Sequence, residues 1–407
     1  MPNRLSKKRS INTDVLTLSR QRVASAFDLF DTVAVSFSGG KDSTACLNLV
    51  LDEAKERKLK RLRVFFFDEE AIPYQTEEYV RRVAENPVVD LQWLCIPVRH
   101  RNGCSRQEPW WFPWDPDKRD KWVRSLPPEA ITKLNGFPLL EKDRLTIPET
   151  IGLLFDPVKD GSVGMVMGIR ADESITRTRA ILSGRKRENV HIIPWTEGKA
   201  KNKNIFKVYP VYDWSTSDIW TAPKKYGWDY NHGYDVMTAA GIPYSRQRCA
   251  PPYGEEPMLA LYQFAQCFPD IWGKMQSRVR GADAAARYAR TVLYSYKSRP
   301  EKPDNISWED FIKQWVLKHP QPYSSIIAKR ISTEIQLHYS KTQEPIMQAI
   351  HPLTGMGWDF LLLIAVRGDL KGMKMAVAPL AISNDAFIKA RQKYDAERAE
   401  TRDKSNR

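Results

Sequence analysis

The sequence predicts an α/β domain on a parallel sheet, interrupted by an insertion and followed by an α-helical region. Three features predict it. Short β-branched runs alternate with amphipathic stretches over the first two-thirds of the chain, a tryptophan- and proline-rich segment breaks that alternation, and from about Glu255 the pattern is helical. At 407 residues and 42% hydrophobic content the chain exceeds one small domain and supports a real core. The expected division is a basic segment over 1–28, a sheet domain over 29–250 with its insertion at about 99–161, and a helical region over 251–407.

The elements follow in order. "TVAVSF" (32–37) reads as a buried strand, and the helix after it places Cys46, Leu47, Val50, Leu51 and Ala54 on one face. "RLRVFFFD" (61–68) is a second strand, "TEEYVRRVAEN" (76–86) a helix and "DLQWLCIPV" (90–98) a third strand. Strands separated by helices of this length imply right-handed βαβ crossovers. The insertion carries "EPWWFPWDPDKRDKW", whose tryptophans read either as a base-stacking platform or as a small cluster gluing an irregular segment to the domain. The sheet resumes at "SVGMVMGI" (162–169), and "RADESITRTRAIL" is helical. "SGRKRENVHIIPWTEGKAKNKN" (183–204) reads as a glycine-punctuated basic loop, a lid or an entrance for a polyanion. "NIFKVYPVYDW" (204–214) is a further strand, and Ser215 with Asp218 forms a capping box for the helix opening at "STSDIW".

Composition narrows the class. No run of about 18 apolar residues exists, so no membrane span is expected. "MPNRLSKKRS" is basic with no apolar stretch behind it, so no secretory signal is expected. Cys46, Cys95, Cys104, Cys249 and Cys267 are scattered without a CxxC pair, which fits reduced thiols in a cytoplasm and argues against a zinc site or an iron–sulfur cluster. His191 and His232 stand isolated, without metal-ligand spacing. The net charge is +14, and residues 176–207 hold nine Lys/Arg against two Glu. Such clustering is either a solvated basic face or a surface for nucleotides or nucleic acid.

The chemistry concentrates at Ser38-Gly39-Gly40-Lys41-Asp42-Ser43, between the first strand and its helix. A Walker A loop would need glycine at position 35 and a hydroxyl residue after the lysine; Val35 and Asp42 stand there instead. Two glycines still let the backbone approach a ligand, and the unpaired N–H groups of a helix start favour an anion. Ser38 and Ser43 offer hydroxyls, Lys41 a charge, and Asp42 either a helix cap or a metal ligand beside a polyphosphate. Asp68 ends the second strand, where open α/β sheets gather ligand contacts, and Arg170 follows the fourth. Arg170, Arg177 and Arg179 suit a guanidinium fork on phosphate, with Glu173 orienting Arg170; a surface ion pair on a basic helix is the alternative. Cys104 and Cys249 read either as reactive thiols or as buried ones.

"SFSGGKDS" after a strand resembles the PP-loop of the N-type ATP pyrophosphatases and their sulfonucleotide relatives, the adenine nucleotide alpha-hydrolase-like superfamily. "GIRADESITRTR" (168–179) and "YPVYDWSTSDIW" (209–220) resemble the next elements of the phosphoadenosine phosphosulfate (PAPS) reductase family. "RNGCS", "PWWFPWDP", "YNHGYDVMTAAGIP", "RQRCAPPYGEEP" and "WGKMQSRVRGADAAARYAR" resemble its IbrA-type branch, described as transcriptional co-activators encoded beside a ParB-like partner. The resemblance implies an ATP or PAPS-like adenine nucleotide with Mg²⁺. It implies chemistry at Lys41, Asp42 and Arg170, and nucleotide contacts from Ser36, Ser38, Gly39, Gly40, Ser43, Thr44, Asp68, Glu173 and Arg177. Asp68-Glu69-Glu70 departs from the family's Asp-Thr-Gly, and the chain lacks the reductases' carboxyl-terminal cysteine: the last one here is Cys267.

Three functions follow as expectations. The first is α-phosphate chemistry on an adenine nucleotide, with adenylation of an acceptor and release of pyrophosphate. The second is a nucleotide-sensing module that binds DNA, through basic 176–207, or a ParB-like partner. The third is sulfonucleotide reduction or sulfur transfer.

Overall fold

The computed structural model describes residues 11–105, 107–173, 175–182, 185–187, 190–197, 204–249, 253, 261–288, 300–368 and 390–397. The basic extreme amino terminus, the Arg179 side chain, Lys201 and Lys203, and most of the "APPYGEEP" string lie outside the described residues. The chain forms two compact units, 1–286 and 287–407.

The first unit is a seven-stranded sheet. Its strands are β1 (Thr32–Phe37), β2 (Leu62–Phe67), β3 (Val89–Leu94), β6 (Val163–Met167), β7 (Arg185–Arg187), β8 (Val190–Pro194) and β9 (Ile205–Val208), in spatial order β3-β2-β1-β6-β9-β8-β7. β3, β2, β1, β6 and β9 are parallel; β8 and β7 add an antiparallel hairpin edge. The segment expected as a basic loop over 183–204 therefore holds two strands. Alternation in "VHIIP" is too short a signal against the polar residues around it. The strand expected over 204–214 stops at Val208, and the residues after it turn.

Strand alternation divides the core. Val33, Val35 and Phe37 of β1 face a cluster shared with Leu62, Val64, Phe66, Trp93 and Val166. That face is covered by α1 (Val15–Leu29), α2 (Lys41–Glu56), α3 (Tyr74–Ala84) and α6 (Thr216–Tyr226). Ala34 points the other way, with Phe65, Phe67 and Met165, against Ile151 and Phe155. The insertion thus supplies the second layer of the main core, where a separate small cluster was expected. It includes a two-residue ladder of β4 (His100–Arg101) on β5 (Trp110–Trp111), and the short helix α4 (Ile147–Thr150). Its Trp111 and Trp114 are buried, so these rings serve packing. The capping box of α6 is present, with Asp218 N–H donating to Ser215 Oγ at 3.2 Å.

α5 (Ile175–Leu182) follows β6, and α7 (Gly233–Ala239) follows α6. α8 (Leu261–Cys267) and α9 (Pro269–Arg278) close the first unit, and α10 (Ala282–Tyr288) carries the chain past the division. In the second unit α11 (Trp308–Leu317), α12 (Tyr323–Tyr339) and α13 (Trp358–Arg367) pack Phe311, Ile327, Trp358 and Leu361 together. No described helix is long and apolar enough to cross a membrane.

Two buried acids at the end of β2 hold the insertion and α9 in place. Asp68 accepts from Trp93 Nε1 at 2.7 Å, from Trp114 Nε1 at 3.3 Å and from the Glu70 N–H at 2.9 Å, and it pairs with Arg124. Glu70, at φ 62°, receives Arg278 Nε at 2.8 Å and Nη2 at 2.9 Å, and the N–H groups of Trp114 and Val123 at 2.6 and 3.2 Å. Arg278→Met should lower stability by about 3–5 kcal/mol, because it leaves the Glu70 charge buried and unpaired. Denaturant unfolding checks this, and Glu70→Gln combined with Arg278→Met should cost less than the sum of the single changes.

Candidate functional site

The parallel order makes β1 and β6 neighbours whose connections leave in opposite directions. Ligand crevices of open α/β sheets form at such a switch point, outside the carboxyl ends of the strands. The Ser38–Ser43 loop leaves β1 there, and Gly168 and Arg170 leave β6 there.

The loop is closed by its own residues. Gly39 adopts φ 69°, a left-handed conformation, and a Cβ there would meet Thr76 Cγ2 at 3.0 Å. Gly40 precedes α2 with ordinary dihedrals, so Gly39 is the position that needs glycine's freedom. Ser43 Oγ donates to Gly40 O at 2.9 Å and accepts the Ser38 N–H at 3.2 Å, which makes it a loop staple rather than a ligand donor. Ser38 is exposed, with its hydroxyl 3.0 Å from Ser43 Oγ. Thr44 N–H closes the first helical bond onto Gly40 O at 2.9 Å, so the N–H groups of Asp42 and Ser43 precede the helical ladder.

Gly168 presses onto this helix start. A Cβ at Gly168 would lie 2.5 Å from Asp42 C and from Ser43 N. The contact is backbone against backbone, and it delivers Arg170, 2% exposed, to Asp42. Arg170 Nε donates to Asp42 Oδ1, and Arg170 Nη1 donates to Trp214 O at 3.2 Å. Lys41 Nζ donates to the other Asp42 oxygen at 3.1 Å. Burial holds the Lys41 ammonium below the ordinary lysine range, against the pull of Asp42. Two cations, Arg170 buried and Lys41 half-buried, therefore share one carboxylate at the amino end of α2.

Other expected residues fall elsewhere. Glu173 pairs with Arg177 and with Arg248, at 3.2 Å for the latter, and not with Arg170; the helical spacing from 173 to 177 favours that pair. The Thr44 hydroxyl accepts from Tyr79 OH at 3.1 Å. Ser36 lies inside β1, below the loop. Asp68 is buried in the tryptophan and arginine network, spent on structure rather than facing ribose. Cys249 and Cys104 are buried, and burial pushes the Cys249 thiol up to about 12, which fits the buried-thiol reading.

Sequence reasoning missed the support beneath the loop. Asn231, fully buried, donates to Gly39 O at 3.0 Å and to Thr76 Oγ1 at 2.8 Å. Tyr234 OH accepts the Lys41 N–H at 2.9 Å. Both lie in "YNHGYD", about 190 residues from the loop, and polar residues at the foot of a short helix carry no periodic signal. Also missed was Glu69, whose carboxyl is pushed up to about 8 by burial and then by Asp68. His100 lies 3.2 Å from it, and burial lowers that imidazole to about 4.

Fold and site together define a mostly parallel α/β protein with a glycine-rich loop at its switch point. The chain belongs to the family of the Escherichia coli (strain K12) protein recorded as "Uncharacterized protein YbdN", with which it is 30% identical over 337 residues, 80% of each chain. Residues 241–354 match the family model "Domain of unknown function (DUF3440)". Among solved structures, an FMN adenylyltransferase of Candida glabrata with FAD and inorganic pyrophosphate overlaps 55% of this chain and 59% of its own, at 10% identity and a TM-score of 0.35. A PAPS reductase of Candida auris overlaps 57% and 94%, at 16% identity and a TM-score of 0.30. The U34-tRNA thiolase NcsA of Methanococcus maripaludis overlaps 72% and 86%, at 12% identity and a TM-score of 0.29. Overlaps this loose transfer no ligand and no reaction.

Gly168→Ala should force β6 and α2 apart, costing about 1–3 kcal/mol by overpacking and disturbing the Arg170–Asp42 pair. Thermal unfolding and anion affinity should fall together. The Glu69 proton gives a second prediction. The folded carboxyl titrates near 8 and an unfolded one near 4.5, so across that interval only the folded chain holds the proton and stability falls as pH rises. His100, lowered from 6.5 to about 4, opposes this slope only below pH 6.5. Between pH 6.5 and 8 the unfolding free energy of the wild type should therefore decline, and Glu69→Gln should flatten that decline.

Proposed function

We propose that the chain binds an adenine nucleotide at the Ser38–Ser43 loop and acts at its α-phosphate, adenylating an acceptor and releasing pyrophosphate. One observation carries the reading: Lys41, half-buried, and Arg170, buried, share the Asp42 carboxylate at the amino end of α2. The two cations and the helix dipole together suit a phosphate. As charge moves onto the leaving phosphates, the two cations and the loop N–H groups stabilise it. Ser38, Gly39, Gly40 and Ser43 shape the cradle, and Asp42 keeps the cations in position until phosphate oxygens replace it.

A resident Mg²⁺ fits these side chains poorly. Both Asp42 oxygens are engaged by cations, and among the described residues no group of three or more His, Cys, Asp or Glu is arranged around a metal position. Mg²⁺ would enter on the polyphosphate. Thiol-based reduction has little support, since Cys249 is buried with its thiol pushed up to about 12.

A second reading keeps the binding and drops the turnover: a nucleotide sensor with a ParB-like or nucleic-acid partner. What favours the protein-partner form of it is an apolar groove of about 380 Å³ between α11 and α12 in the second unit, lined by Ile312, Val316, Ala328 and Ile331.

Incubation with ATP and Mg²⁺ should yield AMP and pyrophosphate rather than ADP. Arg170→Ala should weaken nucleotide binding about ten- to a hundredfold, the loss of a charge-assisted contact worth roughly 1.5–3 kcal/mol. Arg170→Lys should restore only part, because an ammonium makes no two-point contact. Calorimetric titration with ATP measures both. Unchanged nucleotide affinity in Arg170→Ala, with loss of a macromolecular partner, would favour the sensor.

A further inference from the structure

We propose that Glu69 is the general base of this site, and that it takes the proton an acceptor loses on attacking the α-phosphate. The proposal rests on the adenylation reading above. It starts from the three consecutive acids that end β2, beside the strand that carries the phosphate loop. Two of the three are spent. Asp68 is held by two indole N–H groups, a backbone N–H and Arg124, and Glu70 by Arg278 and two backbone N–H groups. Glu69 differs. Its carboxylate has one close polar neighbour, His100 Nε2 at 3.2 Å, which is not aligned to donate to it, and its side chain is 24% exposed. Among these acids it is the one with both surface access and unsatisfied acceptor capacity.

Placement supports the role. β1 and β2 are adjacent and parallel, with Phe37 level with Phe66, so Glu69 emerges on the same carboxyl edge as the loop. Neighbouring strands lie about 4.8 Å apart, which puts this edge within the span of a bound nucleotide and its acceptor. The groups around Glu69 are Asp68 on its own strand end, His100 from β4 and Tyr253, whose hydroxyl donates to Glu69 O at 3.4 Å. Trp111 packs on Tyr253 at 4.2 Å between ring centroids, and His100 lies 6.3 Å from Trp111 and 6.4 Å from Tyr253. Burial brings the carboxyl into the range where a base is most effective at neutral pH.

The step balances as follows. The acceptor's O–H or N–H bond breaks, and its electron pair forms the new bond to the α-phosphorus. The bond to the bridging oxygen breaks, and pyrophosphate leaves with that pair. The proton passes to a Glu69 oxygen, and solvent removes it afterwards.

The test uses the full chain with ATP and Mg²⁺, taking water and hydroxylamine as acceptors. Wild-type turnover should rise with pH and level off above about 8. Glu69→Gln should cut it by about a hundredfold or more, the ordinary contribution of a general base, and abolish the rise, while ATP affinity stays within about threefold. A pH titration of carboxyl-labelled protein by NMR should give one carboxyl titrating near 8 that is missing from Glu69→Gln. Turnover of Glu69→Gln within about threefold of wild type overturns the assignment but leaves the phosphate cradle standing. Nucleotide bound by wild type and converted to nothing also overturns it, and favours the sensor. Absence of nucleotide binding removes the adenylation reading itself.

Discussion

The site depends on one close approach: the backbone of Gly168 against the peptide between Asp42 and Ser43. Everything that makes the crevice cationic follows from it. The end of β6 meets the start of α2 with no side chain between them, so the arginine two residues past Gly168 arrives at the first turn of α2. There it meets a carboxylate that already holds Lys41. A larger residue at 168 would separate strand and helix, and the two cations would no longer share a partner. The constraint is steric, while its result is electrostatic.

The acids at the end of β2 extend the same logic to the rest of the first unit. Buried charge is tolerated only where it is paired and hydrogen-bonded. Asp68 and Glu70 meet that condition by drawing in Trp93 from β3, Trp114 and Arg124 from the insertion, and Arg278 from α9. The insertion is then no ornament on the sheet. It covers one sheet face with Ile151 and Phe155 and supplies donors to acids that would otherwise be unpaired.

Much of this was legible in the sequence. The strands at 32–37 and 62–67, the helices after them and the capping box at Ser215 follow from periodicity and local hydrogen-bond chemistry. The loop at 38–43 was visible because glycines, a hydroxyl pair and a lysine stand between a strand and a helix. What stayed hidden depends on tertiary proximity. Glu173 was expected on Arg170 and found on Arg177 and Arg248; Asp68 was expected on ligand and found among indoles. The hairpin of β7 and β8 lacks an alternation long enough to read. Asn231 and Tyr234 act across some 190 residues, a distance over which no local pattern informs.

The Arg278–Glu70 pair also bears on how this chain can be inherited. The family model covers 241–354, beginning inside the first compact unit and ending inside the second. Its stretch includes α9, whose arginine answers an acid at the end of a strand about 200 residues earlier. The shared segment is therefore no portable cassette. Moved to another gene alone, it would carry half of an ion pair and leave the other half behind. Selection must keep the sheet and the segment together.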